Sequence, residues 1–297
     1  MSQIKVQSIN RIPSMKMDRS PTGMGGMDDL LGGGFVPGEV VIMAGEPGAG
    51  KSTLLLQLAN GMGQLGKKIL YVCGEENMPQ VRLRADRLGT LNQNVICTET
   101  VNLEDIKTID EEINADLIIV DSLQMLRTIS KKAMPGTPTQ MKFCLDDLTR
   151  YVQDKKKILV AIGHANKSGM VAGLLTLQHM VDAVLFMSKD EQGGRYIEAK
   201  KNRFGGNAEG LGLMMTASGL HEVNEDGRII VDIGVAPSLV APREVLIDHK
   251  KISKAIANGS WFNKHALRLD MKWIYKAVTG QELTDNVEYD IVYRVNE

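Results

Sequence analysis

Residues 45–52 read GEPGAGKS, which satisfies G-x-x-x-x-G-K-S at each fixed position. Gly45, Gly48 and Gly50 let successive backbone N–H groups wrap an anion, and a helix N-terminus directly after the loop adds partial positive charge. The spacing assigns a phosphate cradle to Gly45, Glu46, Pro47, Gly48, Ala49, Gly50, Lys51, Ser52 and Thr53. Lys51 would reach the outer phosphates, and the Ser52 hydroxyl would ligate Mg2+. An ordinary glycine turn is the competing reading. The apolar run VVIMA before the loop and the run STLLLQLAN after it supply the strand and helix that the motif requires, so a nucleoside triphosphate with magnesium is the expected ligand.

A triphosphate also needs a second anchor for the metal and a group that acts on water. DLIIVDS ends an apolar run on Asp121, where a carboxylate would hold the metal. YVCGEEN places Glu75 and Glu76 just past another apolar run, and one of them would orient and deprotonate the attacking water. His164, at the end of ILVAIGH, is a candidate sensor of the terminal phosphate, although a single histidine at a strand end is more often structural. Asp121 as a turn cap and the two glutamates as solvated turn residues are the plainer alternatives.

These residues require a scaffold that brings the ends of several strands together. VVIMA (40–44), ILYVC (69–73), LIIVD (117–121), ILVAIG (158–163) and VLFMS (184–188) are continuous apolar runs, as expected for strands covered on both faces. Helical patterns at 51–63, 78–88, 103–113 and 139–154 alternate with them, which predicts an α/β fold with a mostly parallel sheet and right-handed crossovers. The expected organisation is a basic N-terminal arm or linker over 1–20, a core over 21–225 and a small C-terminal appendage over 226–297.

Composition sets outer bounds. The 297 residues are 43% hydrophobic and 24% charged with a net charge of −1, so any nucleic-acid contact must come from a local basic surface. Cys73, Cys97 and Cys144 are scattered and odd in number, which argues against a disulfide framework or zinc cluster and for a reducing, cytoplasmic setting. No apolar run has the length of a membrane span, and the N-terminus lacks a signal-peptide centre.

The stretches TGMGGMDDLLGGGFVPGEVVIMAGEPGAGKSTLLLQLA, YVCGEENMPQVRLRADRLG, GHANKSGMVAGLLTLQHMVD and KNRFG occur in order over about residues 19–223. Together they resemble the RadA (Sms) ATPases of the RecA superfamily. The resemblance implies a RecA-like P-loop NTPase core, ATP and Mg2+ as cofactors, and a hexameric ring that moves along single-stranded DNA in recombination or repair, with a mechanism related to DnaB-type helicases. It assigns the catalytic glutamate to Glu75, with Glu76 as its understudy. It also puts Lys201 and Arg203 where ring ATPases carry a Lys-x-Arg pair directed at the neighbouring subunit's γ-phosphate. Two residues apart on the strand-like RYIEAKKN and its continuation, both project to one side, and a cation supplied by a neighbour would stabilise charge on the transferring phosphoryl group.

The chain departs from the family pattern in having no four-cysteine zinc module before Cys73 and about 75 residues where a Lon-protease-like domain is usual. It therefore reads as a trimmed relative, of the kind a virus or mobile element in a bacterial cell would encode. Asn166 stands where a threonine is common. DNA would meet two loops, RTISKKAMPGTP (127–138) and ANKSGMVAGLLTLQ (165–178), through Arg127, Lys131, Lys132 and Lys167. Neither loop has an aromatic residue for stacking, so the contact would be to the backbone. The tail over 242–276 interleaves eight Lys or Arg with Trp261, Phe262, Trp273 and Tyr275, a mixture that suits either a packed helical appendage or a second binding surface.

The leading expectation is a ring-forming single-stranded DNA translocase or helicase with a recombinase or replisome partner. The alternatives are a filament-forming recombinase or annealing mediator, and a KaiC-like regulatory ATPase that does not touch DNA.

Overall fold

The computed structural model describes residues 7–11, 18–130, 134–164, 177–190, 194–205, 208, 210–223, 229–232 and 289–292. In chain order the elements are α1 (Gly25–Leu31), β1 (Val40–Gly45), α2 (Lys51–Gln64), β2 (Ile69–Cys73), α3 (Met78–Leu88), β3 (Val95–Thr98), α4 (Leu103–Ile113), β4 (Leu117–Asp121), α5 (Pro138–Lys155), β5 (Ile158–His164), β6 (Ala183–Lys189), β7 (Gly194–Asn202), β8 (Gly210–Thr216), β9 (Gly219–Glu222), β10 (Ile229–Asp232) and β11 (Tyr289–Val292). The five strands and four helices expected from sequence all form.

One nine-stranded sheet runs β3-β2-β4-β5-β1-β6-β7-β8-β9. From β3 through β6 neighbouring strands are parallel, and β7, β8 and β9 continue as an antiparallel meander. This is the mostly parallel α/β core that the alternation predicts. Strand β11 pairs in parallel with β10 in a separate two-stranded sheet. The aromatic and basic tail at 242–276 lies outside the described residues.

Alternate residues of the central strands bury into two separate cores, one on each face, which is why those strands read as unbroken apolar runs. Val41, Met43, Ile69, Tyr71, Leu117, Ile119 and Val160 pack with Leu54, Leu55, Leu58 and Met62 of α2 and with α1 and α3. Val40, Ile42, Leu70, Val72, Ile118 and Val120 face Leu103 and Ile106 of α4 and Cys144, Leu145 and Leu148 of α5. Helix α3 starts with a reciprocal cap: the Asn77 side chain accepts from the Gln80 N–H at 2.9 Å, and the Gln80 side chain accepts from the Asn77 N–H at 3.0 Å.

Residues 18–20 are tied to this core. The Arg19 guanidinium donates to the carbonyls of Leu31 at 2.7 Å, Gly34 at 3.0 Å and Phe204 at 2.5 Å. Ser20 and Phe35 exchange backbone hydrogen bonds. Among the described residues, no helix is long and apolar enough to cross a membrane.

Candidate nucleotide-binding site

The loop Gly45–Gly50 leaves the carboxyl end of β1, a central strand, and α2 begins at Lys51. Its glycines are structurally required. A side chain on Gly45, where φ is +150°, would start 2.2 Å from the Met187 carbonyl oxygen, and Gly50 holds φ at +110°. At Gly48 the space is open except for the Lys189 ammonium 3.7 Å away. The buried Lys51 ammonium donates to the carbonyls of Gly45 at 2.9 Å and Glu46 at 2.8 Å. Burial pushes its pKa down, while the negative charges of Asp121, Glu75 and Glu46 oppose that shift. Thr53 is buried in the first turn of α2.

Three neighbouring strands end beside this loop. Asp121 closes β4 and is buried; Tyr71 of β2 donates its hydroxyl to Oδ2 at 2.9 Å. Burial raises the Asp121 pKa, the Ser52 and Tyr71 hydroxyls lower it, Glu75 raises it and Arg84 lowers it. Oδ1 of Asp121 is buried with no hydrogen-bond partner among the described residues. A buried carboxylate oxygen in want of a cation, beside a hydroxyl on the phosphate loop, matches the hard oxygen donors that Mg2+ takes, so Ser52 and Asp121 fit that ion.

Two residues past β2, Glu75 and Glu76 go separate ways. Glu75 Oε1 accepts from the Ser122 hydroxyl, and its backbone N–H donates to the Asp121 carbonyl at 3.1 Å. It is close enough to influence both Lys51 and Asp121. Glu76 instead forms an ion pair with Arg84 of α3. The β1–β5 register sets His164 beside Gly45, which brings its backbone to the mouth of the loop.

Lys201 and Arg203 lie away from the loop along the sheet. Lys201 pairs with Val184, Val184 pairs with Ile42, and the Arg203 N–H donates to the carbonyl of Asp182, whose own N–H donates to the Val40 carbonyl. Five residues of strand, roughly 16 Å, separate the Val40 level of Arg203 from Gly45, and three residues, roughly 10 Å, separate the Ile42 level of Lys201 from it. The Lys201 ammonium donates to the Gln178 carbonyl at 2.8 Å and the Val181 carbonyl at 2.6 Å; burial and the charge of Arg203 lower its pKa while Asp182 raises it. Arg203 pairs with Asp182 at 3.2 Å, and its side chain is 56% exposed.

Of the expected DNA contacts, Arg127 is exposed, and its backbone is bonded to Val101 and Leu103. Lys131, Lys132 and Lys167 lie outside the described residues. Sequence reasoning missed Tyr71, Ser122 and Arg84, which hold the three carboxylates, and Lys189 and Arg195 beside the loop. Ser122 follows Asp121 directly and was the one of these that adjacency could have flagged. Tyr71 sits in a strand where periodicity reads it only as core.

Comparison with known proteins adds three findings. A family model described as ATPase: KaiC matches residues 20–112. The DNA repair protein RadA of Chlamydia muridarum is 40% identical over 294 residues, covering 94% of this chain and 65% of the relative. RadA of Haemophilus influenzae is 36% identical over 288 residues, covering 90% and 62%, and RadA of Aquifex aeolicus is 37% identical over 240 residues, covering 80% and 53%. The chain thus spans less than two thirds of the length of these relatives. Among solved structures, a KaiC-like protein from Pyrococcus horikoshii OT3 superposes with a TM-score of 0.58 at 18% identity, covering 70% of this chain and all of that one, a likeness of fold.

Proposed function

Because this chain belongs to the RadA family through its RecA-like core, we propose that it is an ATPase of DNA repair and recombination, a ring-forming motor on single-stranded DNA that completes its active site across a protomer boundary. ATP would sit on residues 45–53 with Lys51 at the outer phosphates. Ser52 and Asp121 would hold Mg2+, which when bound offsets negative charge on the phosphates. Glu75, held by the Ser122 hydroxyl, would accept the proton of the attacking water, and His164 would register the terminal phosphate. Lys201 and Arg203 would approach the neighbour's nucleotide, and DNA would meet Arg127, Lys131, Lys132 and Lys167. A cytoplasmic, hexameric assembly with a recombinase or replisome partner follows from the same reading.

One observation carries this proposal. Lys51, Asp121 and Glu75 converge at one end of the sheet, whereas Lys201 and Arg203 sit three and five strand residues away from the loop with their side chains bonded to Gln178, Val181 and Asp182. A head-to-tail arrangement joins the two sets, and rotation of such an interface closes a ring.

The test is ATP turnover by the purified chain with and without single-stranded DNA, followed by strand displacement on a forked duplex. DNA-stimulated turnover with displacement of one defined polarity is the expected result. Stimulation without displacement points to a mediator. The KaiC family match over 20–112 favours a second reading, a regulatory ATPase, which turnover indifferent to DNA would support.

A further inference from the structure

The phosphate loop has a basic border contributed by its own chain that the motif does not include. Lys189, the last residue of β6, is the register partner of Arg195 on β7, so the two cations stand opposite one another at the end of the sheet from which the loop departs. Arg195 Nε donates to the Ala49 carbonyl at 2.8 Å, and its Nη1 donates to the Gly194 carbonyl at 3.0 Å. The Lys189 ammonium lies 3.7 Å from where a side chain on Gly48 would begin. Lys189 is exposed and Arg195 half-buried. Asp190, in the same turn, directs Oδ1 to the Gly194 N–H at 2.7 Å.

The peptide geometry gives the Arg195 contact a direction. In a planar trans peptide the carbonyl and the following N–H point opposite ways. With the Ala49 carbonyl drawn toward Arg195, the Gly50 N–H is turned away from Arg195. A loop that binds phosphate through its N–H groups needs its carbonyls directed outward in this manner. Close contact between the Gly45 backbone and Met187 of β6 fixes the strand carrying Lys189 against the same loop.

We infer that Lys189 and Arg195 form a second recognition element for the phosphate chain of a nucleoside polyphosphate, acting in cis: Arg195 positions the loop through the Ala49 carbonyl, and the Lys189 ammonium contacts the phosphates directly. The inference rests on the nucleotide-binding reading above. It differs from the Lys201–Arg203 pair in origin and in consequence. The cis pair serves ground-state binding and works in a single protomer, whereas the other pair serves hydrolysis and needs a neighbour.

The experiment is equilibrium titration of the full chain with fluorescent ATP and ADP analogues at two salt concentrations, for the wild type, Lys189→Gln, Arg195→Gln and Arg195→Lys, together with KM and kcat for each. Loss of one charge-assisted phosphate contact in Lys189→Gln should raise the ATP Kd about fivefold to tenfold and flatten its salt dependence. KM should rise in parallel while kcat stays within about twofold, the pattern of a contact made equally in ground and transition states. Arg195→Gln should weaken ATP and ADP alike, with Arg195→Lys recovering part of the loss. Should Arg195→Gln fail to fold, the exposed Lys189→Gln decides by itself. Wild-type binding with unchanged affinity and salt dependence in Lys189→Gln overturns this inference and spares the nucleotide reading. A wild type that binds neither analogue overturns both.

Discussion

At the scale of single residues, the two adjacent glutamates are the clearest case in which geometry separates what spacing leaves open. GEEN gives no reason to prefer one carboxylate, but Glu76 is held by Arg84 while Glu75 stands with Ser122 near Lys51 and Asp121. Glu75→Gln should therefore keep ATP binding and lose at least about a hundredfold in turnover, the usual scale for a general base. Glu76→Gln should retain most turnover, and equal losses in the two variants would count against the assignment. Lys51→Ala should abolish nucleotide binding measured by titration. The glycines, Lys51, Ser52 and Asp121 were legible because their chemistry is tied to fixed spacing. Tyr71 and Arg84 were not, since what they do depends on which strand and helix ends meet in space.

Glu39 supplies a pH prediction at the same scale. It is buried, its Oε2 accepts from the Val36 N–H at 2.8 Å, and burial raises its pKa from 4.5 to about 7, with Asp182 adding to the shift and the Val36 bond and Arg19 opposing it. A folded-state pKa raised above the unfolded value contributes stability that is fully present below about 4.5 and is lost as pH rises through about 7. The loss over that window is about 3 kcal/mol by proton linkage. Glu39→Gln, whose amide oxygen still accepts from Val36, should remove this slope. Urea melts of both proteins at pH 5 and pH 8 check it: the wild type should weaken relative to the variant at the higher pH, and parallel behaviour would sink the claim.

At the scale of elements, what was legible follows burial. Strands β1, β2 and β4 bury every residue, so their apolar runs stand out, and the long helices that alternate with the strands follow. Strand β3 escaped because VICT is only four residues long and half-buried, and α1 escaped because it opens on two glycines after Met24 with no side-chain cap. Gly61 shows how a local propensity rule yields to packing. It sits within α2, where glycine weakens a helix, but a side chain there would start 2.3 Å from the Thr22 carbonyl oxygen and 3.3 Å from the Gly23 Cα. The helix must let the backbone of residues 22–23 lie directly against it. Gly61→Ala, a helix-favouring change by propensity, should instead destabilise by about 1–3 kcal/mol through overpacking. Thermal melts measure this, and a rise in Tm would mean that the segment moves aside at little cost.

At the scale of the whole molecule, the sheet separates two sets of groups, and this separation makes a quantitative prediction about mixtures. A Glu75→Gln subunit would offer Lys201 and Arg203 to a neighbour but could not hydrolyse at its own site; an Arg203→Ala subunit would keep a competent site but offer no finger. Each variant alone should be nearly inactive. In a mixed ring, an Arg203→Ala site facing the basic end of a Glu75→Gln subunit is complete, and random assembly from equal amounts makes about a quarter of the interfaces complete. The mixture should therefore regain up to about a quarter of wild-type turnover, and wild-type activity per subunit should fall on dilution as protomers separate. Turnover that is independent of concentration, with no recovery on mixing, would place all the catalytic groups in one chain. Lys201 and Arg203 would then be what their contacts with Gln178, Val181 and Asp182 already make them, the local fastening of β7 to the segment entering β6.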